Sequence, residues 1–424
     1  MLTSHPLVTT LKNLRGNVRG CVYTEPLWGI PFNLYAPYAS VYMLAFGLTD
    51  SQIGLITSVG LAFQVFWTIL SGAITDKLGR KRTTLIFDLI SWSVPALIYA
   101  IAQDATYFVV AAIVNSAWRV VHNSWQCLLV EDTEPRLLVD VYSWIYISGL
   151  LAAFVSPLTG LLIDRLSLVP TLRGLYLFAF VMMSVKAFTT NAMVTETKQG
   201  MVRMKETVGQ PLFDVLRGSG DVLKQVVRSP VTLSTAGLML ILGISRMVRG
   251  TFWAILVTES IQIPPQHLAL YPFVRSLTMM VFFFLVMPRL RDVDASKPMI
   301  LGFAGLIVSQ VILISVPVKG YLLLLVSTVL EACSFPLATT LFDKLVVLVV
   351  DAKERARIMA ILSAIVMVFT SPFGWIAGRL SEIDRTLPFI LTTVLFIIGG
   401  VLIYLTSRMA KGDVAGERAA EEAA

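Results

Sequence analysis

The feature that most limits this chain is its succession of apolar segments, each about 20 residues or longer, separated by short polar turns. A helix of that length crosses roughly 30 Å of hydrocarbon. Inside lipid a helix also satisfies its own backbone N–H and C=O groups, which a single extended strand cannot do. A soluble core could not hide so much apolar surface. Of the 424 residues, 56% are hydrophobic and only 14% charged, where a soluble domain carries roughly a quarter charged. Mean hydropathy is +0.76. The expected class is an all-α membrane protein.

Twelve transmembrane spans are expected at 22–46, 52–74, 84–102, 106–130, 139–163, 172–193, 231–258, 268–287, 298–317, 320–345, 356–379 and 387–407. The long hydrophilic stretch divides six spans from six. This predicts an N-terminal bundle (1–194), a central loop (195–229), a C-terminal bundle (230–407) and a disordered tail (408–424). Within the central loop, Leu212, Phe213, Leu216, Leu223 and Val226 alternate with Arg217, Asp221, Lys224 and Arg228 at helical spacing, as in an interfacial helix. Lys and Arg crowd the turns on one side, while the other side holds Arg165, Arg173, Lys319, Arg379 and Arg385. That asymmetry predicts a multi-pass protein of the cell membrane with both termini and the central loop in the cytoplasm. The net charge of +7 then reflects basic cytoplasmic loops, with no nucleic-acid partner. Lys12, Arg15 and Arg19 precede a first segment long enough to span, so no cleaved signal peptide is expected. Cys21, Cys127 and Cys333 lack ligand spacing and read as small apolar residues.

One short stretch breaks the apolar pattern sharply. Gly72-Ala-Ile-Thr-Asp76-Lys-Leu-Gly79-Arg80-Lys81-Arg82 packs five charges and two glycines between spans 2 and 3. The halves also echo each other: DTEPR from Asp132 precedes SPLTGLLIDRL, and DAKER from Asp351 precedes SPFGWIAGRL. Duplicated halves with a site between them are a transporter architecture.

The pattern Gly72-x-x-x-Asp76-x-x-Gly79-Arg80-Lys81, placed between the second and third of twelve spans, resembles the signature loop of the major facilitator superfamily. The resemblance implies two pseudo-symmetric six-helix bundles working by alternating access. It also implies a cytoplasmic gate built from Gly72, Asp76, Gly79, Arg80 and Lys81. Asp76 would complement the N-terminus of span 11 near Arg355 to Arg357, and Arg80 would pair with Glu131 or Asp132. The plainer reading is that these charges only fix topology. A degraded second copy places Pro288, Asp292, Ala295 and Lys297 at the matching positions. Arg119-Val-Val-His122-Asn123 in span 4 is similar to the Arg-x-x-Gln-Gly of proton-coupled members, with His122 and Asn123 departing from it. Ser156-Pro157-Leu-Thr-Gly160 is similar to an element of drug–proton antiporters, less its first glycine.

Polar residues at membrane depth mark the expected site, since facing lipid would cost several kcal/mol. Asn115, Arg119, His122 and Gln126 recur at helical spacing as one inward stripe, with Asn123 beside it. Arg246 and Arg249 lie one turn apart in span 7, Arg275 in span 8, and Glu331 between Ser327 and Ser334 in span 10. Span 1 carries Glu25, Asn33 and Tyr35 and is interrupted by Pro26, Pro31 and Pro37. Four arginines against Glu331 call for an anion, bound through forked guanidinium contacts. The alternative is internal pairing, or bonds to carbonyls freed at helix breaks. Glu331, His122 and Glu25 are the candidates for proton coupling, against a static salt bridge and a structural histidine. Trp118, Trp125, Tyr142, Trp144 and Tyr146 are candidate cavity aromatics. No phosphate-binding glycine loop or zinc spacing appears, so no enzyme activity, cofactor or metal is expected. The reading is a monomeric secondary transporter of a small anion. Its alternatives are a drug–proton antiporter, a flippase for an anionic lipid, and a non-transporting sensor or enzyme.

Overall fold

In the computed structural model, residues 6–209, 230–286, 289, 296–349 and 355–403 are described. Among them every regular element is helical. The order is α1 Pro6–Asn13, α2 Gly16–Tyr35, α3 Ala39–Ala45, α4 Asp50–Leu78, α5 Arg80–Asp88, α6 Val94–Ala100, α7 Ala105–Asn115, α8 Trp118–Val130, α9 Leu138–Ala152 and α10 Pro157–Leu166. It continues with α11 Leu168–Met193, α12 Lys198–Glu206, α13 Pro230–Ile255, α14 Pro265–Leu268, α15 Leu270–Leu285, α16 Ser296–Ile314, α17 Tyr321–Val349, α18 Arg355–Ile383 and α19 Leu387–Ile403.

Eight of the described helical stretches are long and apolar enough to cross a membrane, and Pro298–Ile314 and Leu387–Ile403 are shorter apolar helices. The chain is an integral, multi-pass membrane protein. The first and fourth expected spans fall outside those eight: the first is helical over residues 16–45 but less apolar, and the fourth is interrupted. Span 1 passes unbroken through Pro26 and Pro31 and tightens instead into a 3₁₀ turn, Ala36–Tyr38, which contains Pro37. Span 4 breaks between Asn115 and Trp118. Two π-helical turns, Leu89–Ser93 and Leu256–Ser260, widen helices where they meet neighbours. The expected interfacial helix, the tail and the second copy's Pro288, Asp292 and Ala295 lie outside the described residues, as does the Lys297 side chain.

Local chemistry sets the helix ends. Thr49 and Gln52 form a reciprocal capping box at the start of α4, and Asp104 accepts from the Thr106 N–H to start α7. Gly79, at φ +82 and ψ 158, ends α4 in a conformation that strongly favours glycine.

Burial is distributed unequally between the two ends of the bundle. At the end opposite the 72–82 turn, one core joins helices from before residue 210 to helices after 230. It holds Tyr42, Ile53, Phe108 and Tyr176 with Phe252, Ile263, Leu268 and Phe389. Toward the 72–82 end there are two cores. One, with Val18, Leu70, Phe87 and Leu128, belongs to the earlier helices; the other, with Leu238, Phe303, Phe396 and Ile403, belongs to the later ones, while a smaller cluster of Leu150 with Met279 and Ala332 joins the two sets.

Candidate functional site

The larger polar cavity, of about 610 Å³, is lined mainly by α13, α15 and α17, with α2 closing one side. Helical spacing on α13 turns Arg246 and Arg249 into it one turn apart, and α15 brings Arg275 and α17 brings Glu331. Glu331 is buried and serves two cations. Its Oε2 lies 2.8 Å from Arg275 Nε and 3.3 Å from Arg249 Nη2, and its Oε1 accepts from Arg275 Nη2 at 3.2 Å. Arg246 has no carboxylate partner among the described residues and lies 5.8 Å over the Phe335 ring, which Arg275 also faces at 5.6 Å. Arg249 lies 5.8 Å over Trp253. Three guanidiniums therefore line a cavity that offers one carboxylate among the described residues, and only Arg249 and Arg275 contact it. Gln310, buried in the same wall, has an unpaired carboxamide oxygen.

Several expected residues are elsewhere. Asn33 borders this cavity and donates to the Gly29 carbonyl. Tyr35 instead packs 4.6 Å from Tyr176 in the aromatic core. The stripe predicted on span 4 is not continuous, because the break after Asn115 resets the helix phase. Asn115 donates to Ser91 O, Arg119 donates to Gln64 and lies 4.1 Å over Trp118, and Asn123 donates to Thr75. Gln126 accepts from Tyr142. Arg119 remains within electrostatic reach of Arg246 across the halves.

His122 lies in a second cavity, of about 140 Å³, with Glu25, Asp88, Lys186, Trp28, Trp92, Trp118 and Trp125. Reading the sequence missed Asp88 and Lys186, which form a buried ion pair across 98 residues. The signal was present, since each is a lone charge inside an apolar span, but only the arginines were weighed as buried cations.

The turn at 72–82 is almost all helix. α4 runs through Gly72 and Asp76 to Leu78, and Gly79 alone separates it from α5. A Cβ on Gly72 would meet nothing within 4 Å among the described residues, whereas one on Gly79 would lie 2.5 Å from Glu196 Oε2. Arg80 is buried. It chelates Glu131 through Nε and Nη2 and reaches Asp76 at 3.0 Å, while Asp132 is exposed. Asp76 is also held by Arg203 at 3.0 Å, and hydrogen bonds to Asp76 and then Glu206 keep the Arg203 guanidinium above its ordinary range. Glu196 accepts from the N–H groups of Arg80 and Lys81, capping α5. The observed partners of Asp76 thus come from α5 and α12; the side chains of Arg355 to Arg357 lie outside the described residues.

Contacts between the halves gather at the opposite end. Ser58 Oγ accepts from Trp375 N at 2.7 Å, and Asp50 Oδ2 accepts from Ser381 Oγ at 2.6 Å and Arg385 Nε at 3.2 Å. Ser156 donates to Ala269 O, and a Cβ on Gly160 would sit 2.1 Å from Gln266 O. The Ser-Pro elements of the internal repeat are therefore where α10 and α18 meet the other half.

Comparison with known proteins places this geometry. A family model described as the MFS_1 like family matches residues 32–389. Among solved structures, the nucleoside transporter NupG superposes with a TM-score of 0.70 at 14% identity, covering 92% of this chain and 98% of its own. The human organic anion transporter MFSD10 gives 0.62 at 14%, covering 91% and 98%. A bacterial homolog of the human lysosomal transporter Spinster, inward-facing and occupied, gives 0.66 at 13%, covering 92% and 96%. At such identities the likeness shows the fold. No curated protein matches the chain in sequence.

Proposed function

The chain belongs to the MFS_1 like family, among major facilitator transporters and not enzymes, and from that premise we propose that it carries a small organic anion by alternating access, coupled to protons. The observation that carries this reading is the cavity lined by Arg246, Arg249 and Arg275, where Glu331 is the one carboxylate among the described residues and pairs with the latter two. An uncompensated guanidinium in a low-dielectric site is costly, and a bound carboxylate or phosphate ester relieves it. The forked donors of Arg246 and Arg249 suit such a group, and Gln310 adds an acceptor for a donor on the same molecule. The organic anion named for MFSD10 supports this choice of class. Protonating Glu331 would deepen the positive excess, so its role here is to hold Arg249 and Arg275 in place for the anion. The topology proposed is twelve spans in two six-helix bundles, monomeric, with both termini and the 72–82 turn in the cytoplasm. Gly72, Asp76, Gly79, Arg80, Lys81 and Glu131 then shape the cytoplasmic gate. The joint core at the far end supports reading this as the inward-facing state.

The test is thermal stabilisation of purified protein by anionic, cationic and neutral metabolites. A ligand at a hundred times its Kd adds about 2.7 kcal/mol. Some organic anions should raise Tm, and Arg249→Ala should weaken the effect at least about tenfold in concentration, roughly 1.4 kcal/mol. Stabilisation only by cations or neutral amphiphiles would sink the anion reading.

A further inference from the structure

We propose that the smaller cavity is the coupling site, and that it holds one exchangeable proton on Glu25. The inference rests on the transporter reading but not on the charge of the cargo. Four helices build the site: α2 supplies Glu25 and Trp28, α5 Asp88, α8 His122 and Trp125, and α11 Lys186. Asp88 and Lys186 neutralise each other in a buried contact. Glu25 makes no hydrogen bond or ion pair among the described residues, although it lines the same cavity as both members of that pair. Two carboxylates therefore face one ammonium, and the surplus carboxylate needs one positive charge. The other titratable groups against the site are Cys21 on α2 and His122 on α8, with Arg119 acting on His122 from one turn away.

The walls decide which cation. Apart from the two carboxylates, the lining side chains are four indoles, an imidazole, an ammonium and a valine. A metal ion wants several oxygen ligands, whereas here the remaining polar atoms are mostly nitrogen donors. The indole N–H groups of Trp28 and Trp125 are buried without a partner, and Trp125 is only 9% exposed. They are placed to donate to water, and about 140 Å³ has room for roughly four waters at ~30 Å³ each. Such a chain leads a proton to Glu25: hydronium gives up its proton, an O–H bond forms on the carboxylate, and water remains. Asp88 stands eight residues along its helix from Arg80, about 12 Å at 1.5 Å per residue, on the side where the halves have separate cores.

α2 links this cavity to the larger one. Trp28 in the small cavity stacks on Phe32, 4.8 Å away, and Phe32 and Asn33 line the cavity of the three arginines. A change of charge at Glu25 thus acts on the helix that also closes the anion site.

The four tryptophans make the site its own reporter. Purified protein in nanodiscs, titrated with acid without any substrate, should show a transition in tryptophan fluorescence. Glu25→Gln and Asp88→Asn each leave one carboxylate per ammonium and should abolish it. Lys186→Gln leaves both carboxylates and should keep a transition, as should His122→Gln. Loss of the transition in His122→Gln with survival in Glu25→Gln would overturn the assignment. So would a response to sodium, but not choline, at fixed pH that Glu25→Gln removes. Because no cargo is present, these outcomes are independent of the anion screen.

Discussion

Arg80 shows how one side chain can organise the end of a bundle. Its guanidinium is buried yet reaches two carboxylates, Glu131 by a fork and Asp76 singly. Thr197 Oγ1 donates to the same Glu131 and caps α12 through the Gly200 N–H, so the chain leaving α11 is fastened to the turn as well. Removing one partner of such a pair leaves a desolvated charge, and full burial makes that cost 3–5 kcal/mol. Glu131 is 19% exposed in its side chain, so we expect Glu131→Ala to cost about 2–3 kcal/mol. Asp132→Ala, one residue on and exposed, should stay within about 0.5 kcal/mol. Thermal unfolding in detergent compares the two directly; equal losses would mean that Arg80 does not choose between them. Gly79→Ala carries a separate penalty of about 1–3 kcal/mol from its backbone conformation, whereas Gly72→Ala meets nothing among the described residues and should be neutral.

At the scale of the element, α4 and α18 approach closely because their facing residues are small. A Cβ on Gly54 would stand 2.3 Å from Gly374 O, one on Gly374 2.6 Å from Ser58 Oγ, and one on Gly378 2.7 Å from Asp50 O. Most of these obstacles are backbone, which cannot swing aside. We expect Gly374→Val to hold the helices apart and expose the buried Ala377; an Ala377→Cys reporter should then react with an impermeant thiol reagent at least about tenfold faster. Unchanged labelling would show that the contact does not seal this end. How much of this was legible follows from the physics. Hydropathy marks the spans because lipid demands it of each segment separately. The charge knot was legible because its spacing is local, as were Arg249, Arg275 and Glu331, which stand out from apolar neighbours. The helix break that separates Asn115 from Arg119, His122 and Gln126 was not, since a stripe drawn at constant phase assumes an unbroken helix. Nor was the pairing of Asp88 with Lys186, which only the packing of α11 on α5 creates.

For the whole molecule, the unequal cores define which rearrangement is needed. Opening the far end would part the joint core around Tyr42, Phe252 and Leu268, and closing the other would merge two cores that are now separate. Apolar burial alone would hold the first state strongly, so polar contacts across the seam are needed to tune the balance and fix its register. Asp50 is the central one: buried at the start of α4, it accepts from Ser381 and from Arg385, whose Nη1 also stands 4.0 Å from Glu259. Asp50→Arg places like charges face to face, and Arg385→Asp does the same with two carboxylates, with Glu259 adding to the repulsion. Each single reversal should favour the state open at this end, seen as faster labelling of a cysteine placed at Ala377. Combining them restores an opposite pair with its ends exchanged, so the double variant should label more slowly than either single one. A coupling of about 1–2 kcal/mol is expected for charges in contact. Strict additivity, with the double variant labelling faster than both, would show that Asp50 and Arg385 act on separate steps and that the seam is held by packing alone.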